Sequence, residues 1–174
     1  MNRTGSLVAV MVLLAACDDP AQPPALTPML GILQMEGVSE SLTSPDSTVR
    51  DTTIRWTHPP GESAVVPPEV LVVPAEVQAG EPFTVDVTTI GEGGCWSAES
   101  QDVEISNRTV ELTPYDVHSG HAACTAILLN LSHESTVTLD EPGEWTIRVS
   151  GRRARYGDET WETPVSAEKV IVVH

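Results

Sequence analysis

The stretch "HSGHAAC", residues 118–124, places His118, His121 and Cys124 three positions apart. Imidazole nitrogen and thiolate sulfur are zinc ligands at about 2.0–2.3 Å. These three are therefore the candidate metal set, with Asp116 just upstream as a carboxylate for a metal-binding or hydrolytic site. The competing reading is a pair of exposed loop histidines that hold no ion. A serine nucleophile needs a shaped strand-to-helix turn, and "GESAV" at 61–65 carries only half of the G-x-S-x-G pattern. The carboxylate pairs Asp140–Glu141 and Asp158–Glu159 stand at turns, as ordinary solvated acids unless burial perturbs them. "DETWE" (158–162) lacks the alternating ligand spacing of a calcium loop. No catalytic residue and no cofactor is assigned, so the chain reads as non-enzymatic.

Recognition chemistry is better represented. "GRRAR" (151–155) is the one basic cluster, and Arg148 precedes it. If the strand from Trp145 continues through it, Arg148 and Arg152 share one face by the period of two. Guanidinium forks suit carboxylate or phosphate partners. The same arginines could instead protect a strand edge or pair with acids of their own chain. Trp56, Trp96 and Trp161 fall in loops or weak strands, where an aromatic ring either stacks on a sugar or protein partner or fills the core. Arg148, Arg152, Arg153, Arg155 and Trp96 are thus the candidate partner-binding residues, for a protein or a glycan. A formal net charge of −16, with the acids scattered through the chain, argues against nucleic acid.

The elements that must position these residues read as strands. "FTVDVTTI" (83–90) alternates Phe83, Val85 and Val87 against Thr84, Asp86 and Thr88. "EVLVVPAEV" reads as an edge strand, with Pro74 marking an edge or a crossover between sheets. Asn107-Arg108 is a two-residue hairpin turn between "QDVEIS" and "TVELTPY". "STVTLDEPGEWTIRVSG" reads as a hairpin about a type II turn at Pro142-Gly143, with Trp145, Ile147 and Val149 facing inward. "EKVIVVH" is a final strand. "HAACTAILLNLS" (121–132) hints at a helical turn. Fourteen prolines and twelve glycines supply the turns. Strands of six to eight residues at this spacing predict an all-β, antiparallel sandwich over 65–174. Residues 29–64 read as a weakly structured strand plus an insertion, with "MLGILQM" and "TVRDTTIRW" as its strand candidates.

Upstream, the apolar run Leu7–Ala16 of "LVAVMVLLAACDDP" (7–20) is half the length of a membrane-crossing helix. With Arg3 before it and Ala15 and Ala16 at its end, it matches a signal peptide over 1–16. Leu14-Ala15-Ala16-Cys17 resembles the lipobox of bacterial lipoproteins in all four positions. The resemblance implies acylation of Cys17, a proline-rich tether over 17–28, and a bacterial cell-envelope location that is lipid-anchored and extracytoplasmic. Asp18 and Asp19 resemble an inner-membrane retention signal, which holds only in some bacterial groups, so inner and outer membrane both stay open. With Cys17 lipidated, Cys95 and Cys124 remain, and two thiols in an oxidising compartment pair. A bridge there would stabilise the fold by roughly 3 kcal/mol and remove Cys124 as a metal ligand.

"AGEPFTVDVTTIGEGGCW", "LTPYDV", "HAACT" and "VTLDEPGEWTIRVSGR" together resemble small bacterial lipoproteins that carry one immunoglobulin-like sandwich and a cysteine pair. The resemblance covers about Pro74 to Arg152 and implies an Ig-like module with no catalytic residue to carry over. Trp96 adjoins Cys95, so the tryptophan of true immunoglobulin domains, a dozen residues beyond the first cysteine, has no counterpart. The leading expectation is a lipid-anchored Ig-like module for binding or envelope structure. The alternatives are a small metal-binding protein or hydrolase using His118, His121 and Asp116, or an inhibitor or assembly factor using the loops around Trp96 and Tyr115.

Overall fold

A computed structural model of the chain describes residues 26–38, 51–61 and 63–174. Cys17, the leader 1–16 and all but the last residues of the tether lie outside them. The described residues form eleven strands and no helix. They are β1 (Met29–Leu30), β2 (Ile32–Glu36), β3 (Arg55–Trp56), β4 (Leu71–Val72), β5 (Glu76–Val77), β6 (Pro82–Gly91), β7 (Trp96–Ser106), β8 (Thr109–His118), β9 (Leu129–Thr138), β10 (Gly143–Arg155) and β11 (Asp158–Val173). Two sheets face each other as a sandwich. The larger runs β7-β8-β10-β11, with β1 on β8, β2 on β10, and β3 and β5 on β11; the smaller is β4-β6-β9.

Alternation in sequence becomes the two-sided burial of each strand. Phe83, Val85 and Val87 of β6 and Trp145, Ile147 and Val149 of β10 point into one core. Val110 and Leu112 of β8 and Ala167 and Ile171 of β11 join them. Each fully buried Val, Leu or Ile contributes about 1.5–3 kcal/mol relative to exposure. The 107–108 turn is the two-residue hairpin expected: Asn107 and Arg108 have φ of 48° and 60°, the left-handed pair of a type I′ turn. Pro74 lies between β4 and β5, which belong to different sheets, so it marks the crossover.

Four expectations are corrected. The stretch about Pro142-Gly143 is not a hairpin, because β9 pairs β6 in the smaller sheet while β10 lies in the larger one. The turn signal is genuine, with Gly143 at φ 123° and the Trp145 indole N–H donating to the Glu141 carbonyl at 2.8 Å. It swings the chain between layers instead of folding it back. The hint of a helical turn in 121–132 is replaced by strand from Leu129, which pairs with Gly91.

Third, the larger sheet is mixed. β8 and β2 both run parallel to β10, and β5 runs parallel to β11. Fourth, the stretch from residue 29 enters the sandwich instead of preceding it. Beyond Leu112 and Val149, β8 and β10 diverge, and the first two strands fill the gap. Gly31 donates its N–H to Pro114 O at 2.9 Å and accepts from Arg152 N–H at 3.0 Å, bonding to both neighbours at once. A Cβ on Gly31 would meet Thr89 Cγ2 at 2.5 Å, so only glycine fits this crossing. Leu33 then seats fully buried in the main core.

Candidate functional site

One end of the sandwich gathers most of the residues with chemistry. The last residues of β6 and β8, the first of β7 and β9, and strand β1 all meet there. The loop between His118 and Leu129 caps this end. It is held by a Cys95–Cys124 disulfide with a Cα–Cα distance of 5.4 Å, as the cysteine count predicts. Gly94 N–H donates to Thr125 O and Ser119 N–H to Cys95 O, locking the two loops side by side. Beside the bridge opens a cleft of about 420 Å³ lined by Met29, Glu92, Trp96, His118 and Arg152. A second cleft of about 360 Å³ continues from Met29 and Arg152 to Leu30, Glu162, Thr163 and Pro164.

His118 is fixed from three sides. Trp96 meets it edge-on, ring centroids 5.4 Å apart. Gly120 N–H donates to its Nδ1 at 3.1 Å, so the neutral ring carries its proton on Nε2. Nε2 in turn lies 3.4 Å from Cys124 Sγ. The Cys95, His118 and Cys124 donor atoms fall within 4.8 Å of one another, and among the described residues no other three potential ligands cluster so. His121 is not part of that group. The metal reading through His118, His121 and Cys124 is corrected here: both sulfurs are spent in the disulfide, and a ligating imidazole should donate its second N–H rather than accept there.

Trp96 and Arg152, which sequence reasoning proposed separately, are brought into one cleft. The basic strip is not. Arg152 is only 8% exposed, its Nε donating to Leu30 O at 2.7 Å and its guanidinium paired with Glu162 at 2.8 Å. Arg148 pairs with Glu168 at 3.0 Å and Glu111 at 3.8 Å. Arg153 pairs with Glu36. Arg155 stacks over Trp161, 4.5 Å from the ring centre. The alternation that predicted a common face breaks at Gly151, beyond which β10 pairs with β2 through a register shift between Arg152 and Arg153, and Arg152 and Ala154 are both buried.

A second constellation was not foreseen. Thr89, Asp116 and His133 are buried at 0, 2 and 4% exposure, one from each of β6, β8 and β9. The Thr89 hydroxyl donates to Asp116 Oδ1 at 2.9 Å and lies 3.2 Å from His133 Nε2. His133 Nε2 lies 2.9 Å from Asp116 Oδ1. Its Nδ1 faces the Ser100 carbonyl at 3.1 Å, which can only accept, so Nδ1 carries a proton. One further proton sits between Nε2 and the carboxylate. The grouping resembles a catalytic triad in residue types alone. Nε2 is spent on the carboxylate, and the hydroxyl is fully buried, so no nucleophile reaches a substrate. The signal was readable: Thr89, Asp116 and His133 hold the apolar parity of their strands. Gln34 of β2 is equally buried, its Oε1 without a hydrogen-bond partner among the described residues.

Among partly exposed acids, the Thr160 hydroxyl and then its N–H hold Asp158 below the usual carboxylate range. Lys169 at 2.8 Å, followed by Thr53, lowers Asp51 to about 2. The Thr53 and Thr160 contacts fix turns, the Lys169 contact ties residue 51 to β11, and all bear on stability. No family model, curated protein or solved structure matches the chain.

Proposed function

We propose that this chain is a lipid-anchored, extracytoplasmic, immunoglobulin-like module of the bacterial cell envelope, with its disulfide end as the face that engages a protein partner. The observation that carries the reading is the cysteine count. Cys95 and Cys124 pair, which suits an oxidising compartment. The third cysteine, Cys17, stands directly behind Leu14-Ala15-Ala16, in register with a lipobox. Several acyl chains on one residue suffice for stable anchoring, whereas ten apolar residues cannot span. The described chain enters the fold at the disulfide end, where Met29 pairs with Asp116. Trp96 offers the broad aromatic surface typical of partner contacts.

The test is membrane fractionation of Cys17→Ser. The wild-type chain should sediment with membranes and incorporate a palmitate analogue; the variant should be soluble and unlabelled. Membrane association that survives the substitution overturns the anchor.

A further inference from the structure

We propose that the Cys95–Cys124 disulfide is a thiol–disulfide exchange centre, with Cys124 as the sulfur attacked and then released, and a cysteine pair of an extracytoplasmic polypeptide as the substrate class. This goes beyond the binding reading and is independent of the lipid anchor. The two sulfurs are not equivalent. Cys124 is exposed and Cys95 half-buried, so an incoming thiolate reaches Cys124 first. The sulfur environments differ too. Cys95 Sγ has the Ala123 carbonyl at 3.7 Å, an acceptor that suits a neutral thiol. Cys124 Sγ has the His121 carbonyl at 3.4 Å and also His118 Nε2 at 3.4 Å. Since Gly120 fixes the His118 proton on Nε2, that nitrogen presents an N–H to the sulfur. A donor of this kind stabilises a thiolate and makes it a better leaving group.

The bonds balance in two steps. A substrate thiolate attacks Cys124 Sγ, the Cys95–Cys124 bond breaks, and Cys95 leaves as thiolate and takes the first substrate proton. The second substrate thiolate then attacks the substrate sulfur of the mixed disulfide. Cys124 departs as a thiolate facing the His118 N–H, and the second proton is released. The protein disulfide is reduced to a dithiol and the substrate dithiol is oxidised to a disulfide; no other reagent enters. The cleft lined by Met29, Trp96, His118 and Arg152 shares His118 with the surroundings of Cys124 Sγ and gives the substrate polypeptide a surface to rest on.

The experiment uses the full chain carrying Cys17→Ser, so that no third thiol interferes whether or not the anchor exists. The bridge is reduced with dithiothreitol, the reductant removed, and the two thiols are pulsed with iodoacetamide at pH 7, with tagged peptides counted by mass spectrometry. Cys124 should react about tenfold faster than Cys95, one hydrogen bond to the thiolate corresponding to about one unit in its titration. His118→Ala should abolish that preference, and the thiolate absorbance of the reduced chain should titrate about one unit higher. His118→Gln, which keeps an N–H donor, should restore part of it. A second measurement avoids variants at this site: the oxidised chain is mixed with a synthetic peptide dithiol and quenched with acid, and the mixed disulfide should map to Cys124. Equal tagging of the two cysteines, a preference that survives His118→Ala, or a mixed disulfide on Cys95 overturns the proposal.

Discussion

Removing His133 should destabilise the fold more than removing Asp116, although the two side chains bond each other. Both are almost fully buried, and deleting one partner of a buried pair costs about 3–5 kcal/mol when the other is left uncompensated. The survivors differ. In Asp116→Ala, His133 keeps its Nδ1–H on the Ser100 carbonyl, and its Nε2 accepts the Thr89 hydroxyl proton at 3.2 Å. The imidazole remains satisfied as a neutral ring, and the loss should be about 2–3 kcal/mol. In His133→Ala, the Asp116 carboxylate keeps only the Thr89 hydroxyl and must either stay charged in an apolar interior or take up a proton. That loss should be about 3–5 kcal/mol, about 6–20 °C in Tm for a chain of this size. Urea denaturation at pH 7 reads both numbers. Losses within about 1 kcal/mol for both variants, or a larger loss for Asp116→Ala, would refute the reasoning.

Four further substitutions should separate structural from peripheral contacts. Asp51 titrates near 2 in the fold against 3.8 when free, so its contribution is present above pH 4 and lost as pH falls toward 2. Partial exposure discounts it to about 1 kcal/mol, and Asp51→Asn should flatten the acid limb of stability between pH 4 and pH 2 by that much. Arg152→Ser should cost about 2 kcal/mol, because it strips the donor from the Leu30 carbonyl as well as the Glu162 pair. Arg155→Ser, at a half-exposed site, should cost under about 1 kcal/mol in the same melt. Gly151→Ala should cost about 2–3 kcal/mol, since its Cβ would sit 2.6 Å from Leu33 Cγ and 2.8 Å from Gly31 O; an unchanged melting temperature would place β2 elsewhere.

Strand alternation and turn chemistry were legible where they are local. Phe83 to Thr89 keeps its period through an uninterrupted ladder with β9, and Asn107-Arg108 keeps its left-handed geometry even though the Arg108 carbonyl accepts from Thr146 N–H of β10. Pairing between strands was less legible, because a turn signal such as Pro142-Gly143 reports that the chain reverses without reporting which sheet receives it. The filling of the gap between β8 and β10 by residues 29–36 depends on contacts more than a hundred residues apart, Arg152 with Leu30 and Arg153 with Glu36. For the same reason the arginine cluster looked like a free positive strip: the acids that neutralise it, Glu36, Glu111, Glu162 and Glu168, come from three other strands. The disulfide followed from counting cysteines, but the fit of His118 against Cys124 required the loop's own folding. Thr89, Asp116 and His133 carried a readable mark, polar residues at apolar parity, whose meaning appears only once three strands converge.

The most direct test is mass spectrometry of the mature protein extracted from membranes and alkylated without reduction. The mature protein should yield an N-terminal peptide that begins at Cys17 and carries acyl chains, together with one cross-linked pair joining the Cys95 and Cys124 peptides and no alkylated thiol. An alkylated Cys17 on a chain that retains residues 1–16 would contradict the lipid anchor.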